Sequence, residues 1–131
     1  MGHYRGQLPQ LSGEFFITDA GLETDLIFNH GIEIREFAAH TLLPHEGGRR
    51  ALTDYLKGFI ALADECNAGL ILDSQTWKAH PHWAASLGAS VSELETTNRD
   101  AITFIASLRN ENEGNRRPIV LNGVIGPRGD A

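Results

Sequence analysis

The sequence predicts an α/β fold: about three parallel strands joined by crossover helices, forming the first part of a larger sheet or barrel. Three observations lead there. Apolar runs alternate with amphipathic segments in the order strand, helix, strand, helix, strand, which predicts parallel strands with right-handed crossovers. The runs are continuous rather than alternating, as suits strands covered on both faces. Each run also flows into a polar, turn-rich cluster: Thr18-Asp19-Ala20-Gly21, Asp73-Ser74-Gln75-Thr76, and the stretch from Asn122 to Asp130. In α/β folds reactive groups gather at the carboxyl ends of parallel strands, where the loops converge. The chain is therefore expected to present three pieces of one site and to end before that site is complete.

The elements follow in order. Residues 1–13, with Gly, Pro and Ser, read as an irregular arm, and residues 14–131 as the incomplete α/β domain. Phe15-Phe16-Ile17 reads as a short buried strand. Gly21 allows a sharp turn, and Leu22 to Phe28 form a short helix closed by Asn29 and Gly31. After Gly47-Gly48, the residues Leu52, Tyr55, Leu56, Phe59, Ile60 and Ala63 recur at spacings of three and four, which makes one apolar helix face. Asn67 and Gly69 stop that helix, and Leu70-Ile71-Leu72 is the second strand. Pro81 starts a short helix carrying Trp83, Ala84 and Leu87, with Gly88 as its stop. Ser92-Glu93-Leu94-Glu95 has the Ser-to-Glu spacing of a capping box. It opens a long helix whose apolar face is Leu94, Ala101, Ile102, Ile105 and Leu108. A polar connection from Glu111 to Arg117 leads to Pro118-Ile119-Val120-Leu121, the third strand. Three strands leave edges of unpaired backbone groups, so the sheet is expected to belong to something larger.

At 131 residues the length fits one domain, on a prior of roughly 100–200 residues per domain. The net charge of -6 argues against a nucleic-acid partner, because phosphate binding needs clustered Lys and Arg. Arg49-Arg50 and Arg116-Arg117 are only pairs, read as solvated helix ends or loops. No apolar run approaches the ~18 residues of a membrane span, and the start lacks the apolar core of a secretory signal. A single cysteine, Cys66, excludes an internal disulfide and fits a reducing cytoplasm. The expected location is cytoplasmic, with no membrane partner.

Asp19 stands where the first strand ends. It either receives a ligand amine or a metal, or caps the turn through Gly21. Asp73, Ser74, Gln75 and Thr76 are a denser signal: four polar side chains directly after an apolar strand are hard to explain by packing, and they either face the barrel mouth or form a solvated loop. Gly123, Gly126, Pro127 and Gly129 make a tight loop that exposes backbone N–H groups, which can hold an anion or a carboxylate. The loop lacks the Gly-Lys-Ser/Thr ending of a phosphate loop. Arg128-Gly129-Asp130 is read as a chance match to an adhesion tripeptide. His80 and His82 flank Pro81 and read as a polar helix start rather than a metal pair. Cys66, three residues after Ala63, reads as a core side chain. Trp77 and Trp83 line a pocket or pack the core.

Taken together, these residues resemble the homocysteine S-methyltransferase family over roughly residues 14–131. Asp19-Ala20-Gly21-Leu22-Glu23-Thr24 matches the family's Asp-Gly-Gly-type motif and short helix with a Glu. Ala68-Gly69 followed by Ser74-Gln75-Thr76-Trp77 matches its second strand, which runs into a Thr-x-Thr-aromatic segment. Gly123-Val124-Ile125-Gly126-Pro127 matches the Gly-x-x-Gly-Pro after its third strand. The departures are Ala20 for a glycine, Ser74 for a threonine, and Lys78 where some relatives place an aromatic.

The resemblance implies the N-terminal part of a (β/α)8 TIM-type barrel about half or less of the family's length. It implies that Asp19 binds the amino acid part of homocysteine. Gly21, Ser74 and Thr76 fall in the same pocket, with Gly126 and Pro127 shaping its wall. The implied substrates are homocysteine and a methyl donor, giving methionine. The family holds zinc through three cysteines on later strands, and Cys66 matches none of them. No catalytic or metal-binding residue is therefore assigned here, and the chain alone is expected to be inactive. Two other readings stay open: a barrel enzyme holding a divalent metal through Asp19 and Asp73, and a non-catalytic half-barrel that associates through its open edges.

Overall fold

A computed structural model describes residues 4–114 and 117–129 of the chain. The first three residues of the arm, Arg116 and Asp130 lie outside the described residues.

The sheet has three parallel strands: β1 (Phe16–Thr18), β2 (Gly69–Asp73) and β3 (Ile119–Asn122). Their spatial order is β1-β2-β3. The register sets Ile17 beside Leu70 and Leu70 beside Ile119, and it sets Asp73 beside Asn122. Consecutive side chains alternate between the faces of a strand, so Ile17, Leu70, Leu72, Ile119 and Leu121 share one face. Phe16, Thr18, Gly69, Ile71, Asp73, Val120 and Asn122 share the other.

Helices cover the first of these faces. A short helix α1 (Leu22–Phe28) follows β1, and α2 (Glu46–Glu65) crosses over to β2. The pair α3 (Pro81–Leu87) and α4 (Val91–Asn112) crosses over to β3. Leu52, Leu56, Ile60 and Ala63 of α2 join Ala101, Phe104, Ile105 and Leu108 of α4 over Leu70, Leu72 and Ile119 in one apolar cluster. Leu52, Leu56, Leu70, Leu72 and Ile105 are fully buried there. Arg49 of α2 ties the two long helices together through a two-pronged contact with Asp100 of α4, at 3.0 and 3.1 Å. On the opposite face, the Phe16 ring lies over Gly69 so closely that a Cβ there would stand 2.3 Å from it. Among the described residues, no helix is long and apolar enough to cross a membrane.

Several expectations are corrected. Phe15 is not part of the buried strand. Its carbonyl accepts from Gly69 N at 2.9 Å, but its side chain is 71% exposed at the amino end of the sheet. The capping box belongs to Ser90 and Glu93, not to Ser92 and Glu95. The Ser90 hydroxyl accepts from Glu93 N, and the Glu93 carboxylate accepts from Ser90 N at 2.7 Å. Ser92 lies within the first turn of the helix, as its second residue. Ile102 flanks the apolar stripe and is 40% exposed, while Phe104 takes its place in the core.

Cys66 is exposed. It is the residue after the last turn of α2, so the i+3 relation to Ala63 ends before it can point inward. The long helix also begins before Gly47-Gly48 rather than after it. The arm holds a 3-10 turn at Pro9–Leu11, and the Tyr4 hydroxyl donates to Glu113.

Candidate functional site

The carboxyl ends of all three strands meet at one rim. Asp19 follows β1, Asp73 ends β2 and Ser74-Gln75-Thr76 follow, and Asn122 ends β3. A parallel sheet makes this convergence unavoidable, since every strand points the same way.

Asp19 is half-buried, and its Oδ1 is sealed from solvent with no hydrogen-bond partner. Burial pushes its pKa up from 3.8 to about 6, and the charge of Asp73 adds to the rise. The Tyr55 hydroxyl of α2 lies beside this carboxyl and lowers the pKa in part. Tyr55 has a single proton, and the geometry gives it to the Ala20 carbonyl at 2.7 Å, so Oδ1 gains no donor from it. Burial, followed by the Asp19 charge, raises the Tyr55 pKa in turn. Gly21, two residues after Asp19, has φ of 68°, the left-handed conformation that starts α1 and that glycine adopts without strain.

Ser74 and Thr76 are both buried. Thr76 donates to the Val124 carbonyl at 2.7 Å, and Ser74 accepts from Val124 N at 2.9 Å. The two hydroxyls are 2.7 Å apart. Each hydroxyl has one proton. Since Thr76 spends its proton on Val124, Ser74 must donate to Thr76. The pair is therefore a clip that holds the loop after β3 against the loop after β2, and it offers a ligand acceptors only. Gln75 donates to the Asp73 carbonyl at 2.9 Å, and its own Oε1 is buried without a partner. Asn122 donates to the Asp73 carboxylate at 2.8 Å.

Gly126 packs directly on the Trp77 carbonyl, and Pro127 beside it in the loop is exposed. Trp77 donates from Nε1 to Glu23 of α1 at 2.8 Å. Lys78 is buried, with Nζ donating to the Glu36 carbonyl at 2.7 Å. His80 accepts from His82 N through Nδ1 at 3.1 Å, which caps the start of α3.

The structure thus brings Asp19, Gly21, Ser74, Thr76 and Gly126 to one rim, and Pro127 follows Gly126 as an exposed residue of the same loop. Sequence reasoning missed Tyr55, Glu23 as a partner, and Lys78, and it named Asn122 only as the start of the third cluster and not as a partner of Asp73. Tyr55 carries only the signal of an apolar helix face, which hides the reach of its hydroxyl. Asn122 could have been found from register, since it lies opposite Asp73.

A sizeable cavity adjoins the rim. It spans about 700 Å³ between α1 and α2, lined by Leu26, Phe59 and Leu62, with Asp25, Arg50 and Asp54 around it. His30 and Asn29 engage Asp25 at 3.3 and 2.7 Å. The cavity reaches the rim at Ala20 and Tyr55, but neither Asp19 nor Asp73 lines it.

Among the described residues, no three His, Cys, Asp or Glu side chains converge as a metal-holding group. Cys66 stands three residues before the first residue of β2, at the end of the sheet opposite Asp73. The residues present therefore do not fit a thiolate zinc site, which needs about four converging ligands. No protein-family model matches the chain, and no curated protein or solved structure matches it either.

Proposed function

We propose that the chain is the N-terminal part of a (β/α)8 S-methyltransferase barrel of the homocysteine type, and that it carries the wall that holds the amino acid. One observation carries this reading. Asp19 has a buried oxygen without a donor, and it stands beside a second carboxylate at the strand ends. A buried, unpaired acceptor is costly, and an ammonium group supplies both what is missing and the opposite charge. The β1-β2-β3 order, with the long helices on one face, supports the barrel half of the reading. In this role Asp19 orients the α-amino group of homocysteine, and Asp73, steadied by Asn122, shares its charge. Gly126 and the Ser74–Thr76 clip fix the loops around them. The thiol chemistry belongs to groups that the described residues do not supply.

Calorimetric titration of the 131-residue chain with L-homocysteine tests this. Binding is expected for the wild type, with loss in Asp19→Asn and for 4-mercaptobutanoate, which lacks the amine. Equal binding of the two compounds would refute the assignment of Asp19. The paired carboxylates also favour a second reading, a divalent metal held by Asp19 and Asp73. Magnesium or manganese affinity that is lost in Asp73→Ala, with no response to homocysteine, would select it.

A further inference from the structure

Both tryptophans of the chain face the same cation. The Lys78 Nζ lies 4.9 Å from the ring centre of Trp77 and 4.1 Å from that of Trp83. Lysine ordinarily lays its stem on apolar surface and keeps its head in water. Here the residue is only 5% exposed, and the head is turned inward. It donates to the carbonyl of Glu36 at 2.7 Å. Glu36 and Phe37 hold left-handed backbone, with φ of 53° and 54°, a conformation that non-glycine residues adopt only under constraint. The lysine therefore also fastens a strained turn. Trp77 is anchored by Glu23. The Nε1 of Trp83 is buried with no partner, so that ring is placed by what its faces and edges touch. Indole faces attract ammonium groups most strongly where water is excluded.

We propose that Trp77 and Trp83 form a cation box of the kind that takes quaternary ammonium or sulfonium groups, and that Lys78 fills it as a built-in occupant. Lys78 is thereby a specificity-determining residue. With Lys78 in place the box refuses a second cation. The inference stands on the ring geometry and does not depend on the methyl-transfer reading.

Trp77 and Trp83 are the only tryptophans, so indole fluorescence reports on the box alone. Tetramethylammonium chloride is titrated into wild type, Lys78→Met and Lys78→Arg at constant ionic strength. Lys78→Met is expected to give a saturable change at least roughly tenfold tighter than any in wild type or Lys78→Arg, a difference of about 1.4 kcal/mol. The neutral isostere tert-butanol is expected to give none. A folded Lys78→Met that responds like the wild type overturns the proposal, as does an equal response to tert-butanol.

A second measurement needs no variant. Lys57 and Lys78 are the only lysines, and Lys57 is exposed on α2. Under native reductive methylation Lys78 is expected to react at least roughly tenfold more slowly than Lys57, and equal rates overturn the seating of the lysine in the box.

Discussion

A Cβ on Gly126 would stand 1.9 Å from the carbonyl oxygen of Trp77. The loop after β3 and the loop after β2 therefore meet backbone to backbone, and only glycine permits it. Gly126→Ala is expected to destabilise the fold by about 1–3 kcal/mol through forced displacement, seen as a lower urea midpoint. Gly123→Ala is the control. The nearest atom to its added Cβ is Ile102 Cδ1 at 3.8 Å, an ordinary contact, and the midpoint should hold.

The Ser74–Thr76 clip makes a second prediction. Thr76→Val keeps the shape but leaves the Val124 carbonyl and the Ser74 proton without their partner. An unsatisfied buried group costs about 1–3 kcal/mol, so chemical unfolding should show a loss of that size. Thr76→Ser retains the hydroxyl and should lose less.

Gly58 lies inside α2, and a Cβ there would meet nothing within 4 Å. Alanine is the better helix former by about 0.5–1 kcal/mol. Gly58→Ala is expected to raise the melting temperature, and a lowered one would show that the open space at Gly58 is used.

Asp19 links stability to pH. Folding raises its pKa from 3.8 to about 6, so between those values the folded state binds more protons than the unfolded one. The stabilising contribution of the protonated carboxyl is complete below about pH 4 and is lost as pH rises through about 6. Asp19→Asn removes this loss. Its melting temperature relative to wild type should therefore climb across that window and level off above it. Asp73→Asn removes the neighbouring charge and should lower the Asp19 midpoint.

Much of the fold was legible because its signals are local and redundant. The stripe from Leu52 to Ala63 and the run Leu70-Ile71-Leu72 each state their period without reference to the rest of the chain. The capping register was not legible, because Ser90 and Ser92 both stand three residues before a glutamate. Only the packing of Leu94 and Ala101 decides between them. The stretch from Ile34 to Leu43 also escaped reading. It buries Ile34, Ala38, Ala39, His40, Leu42 and Leu43 in and around two 3-10 turns, and such short turns have no period long enough to recognise.

At the rim, position at a strand end was readable, but hydrogen-bond partners were not. That the Ser74 and Thr76 hydroxyls serve Val124, some 50 residues away, follows from strand register that no local pattern contains. Lys78 read as a departure from a motif, and its seat between two indoles depends on where α3 places Trp83.

The claim at the centre of this account is that Asp19 awaits an ammonium group. The carboxyl carbon of Asp19, followed by NMR through a pH titration with and without L-homocysteine, tests it most directly. Without ligand the midpoint is expected at about 6. With saturating homocysteine it should fall, because a paired ammonium favours the carboxylate, and the fall should be absent with 4-mercaptobutanoate. A midpoint that stays at its ligand-free value while homocysteine is bound would contradict the account.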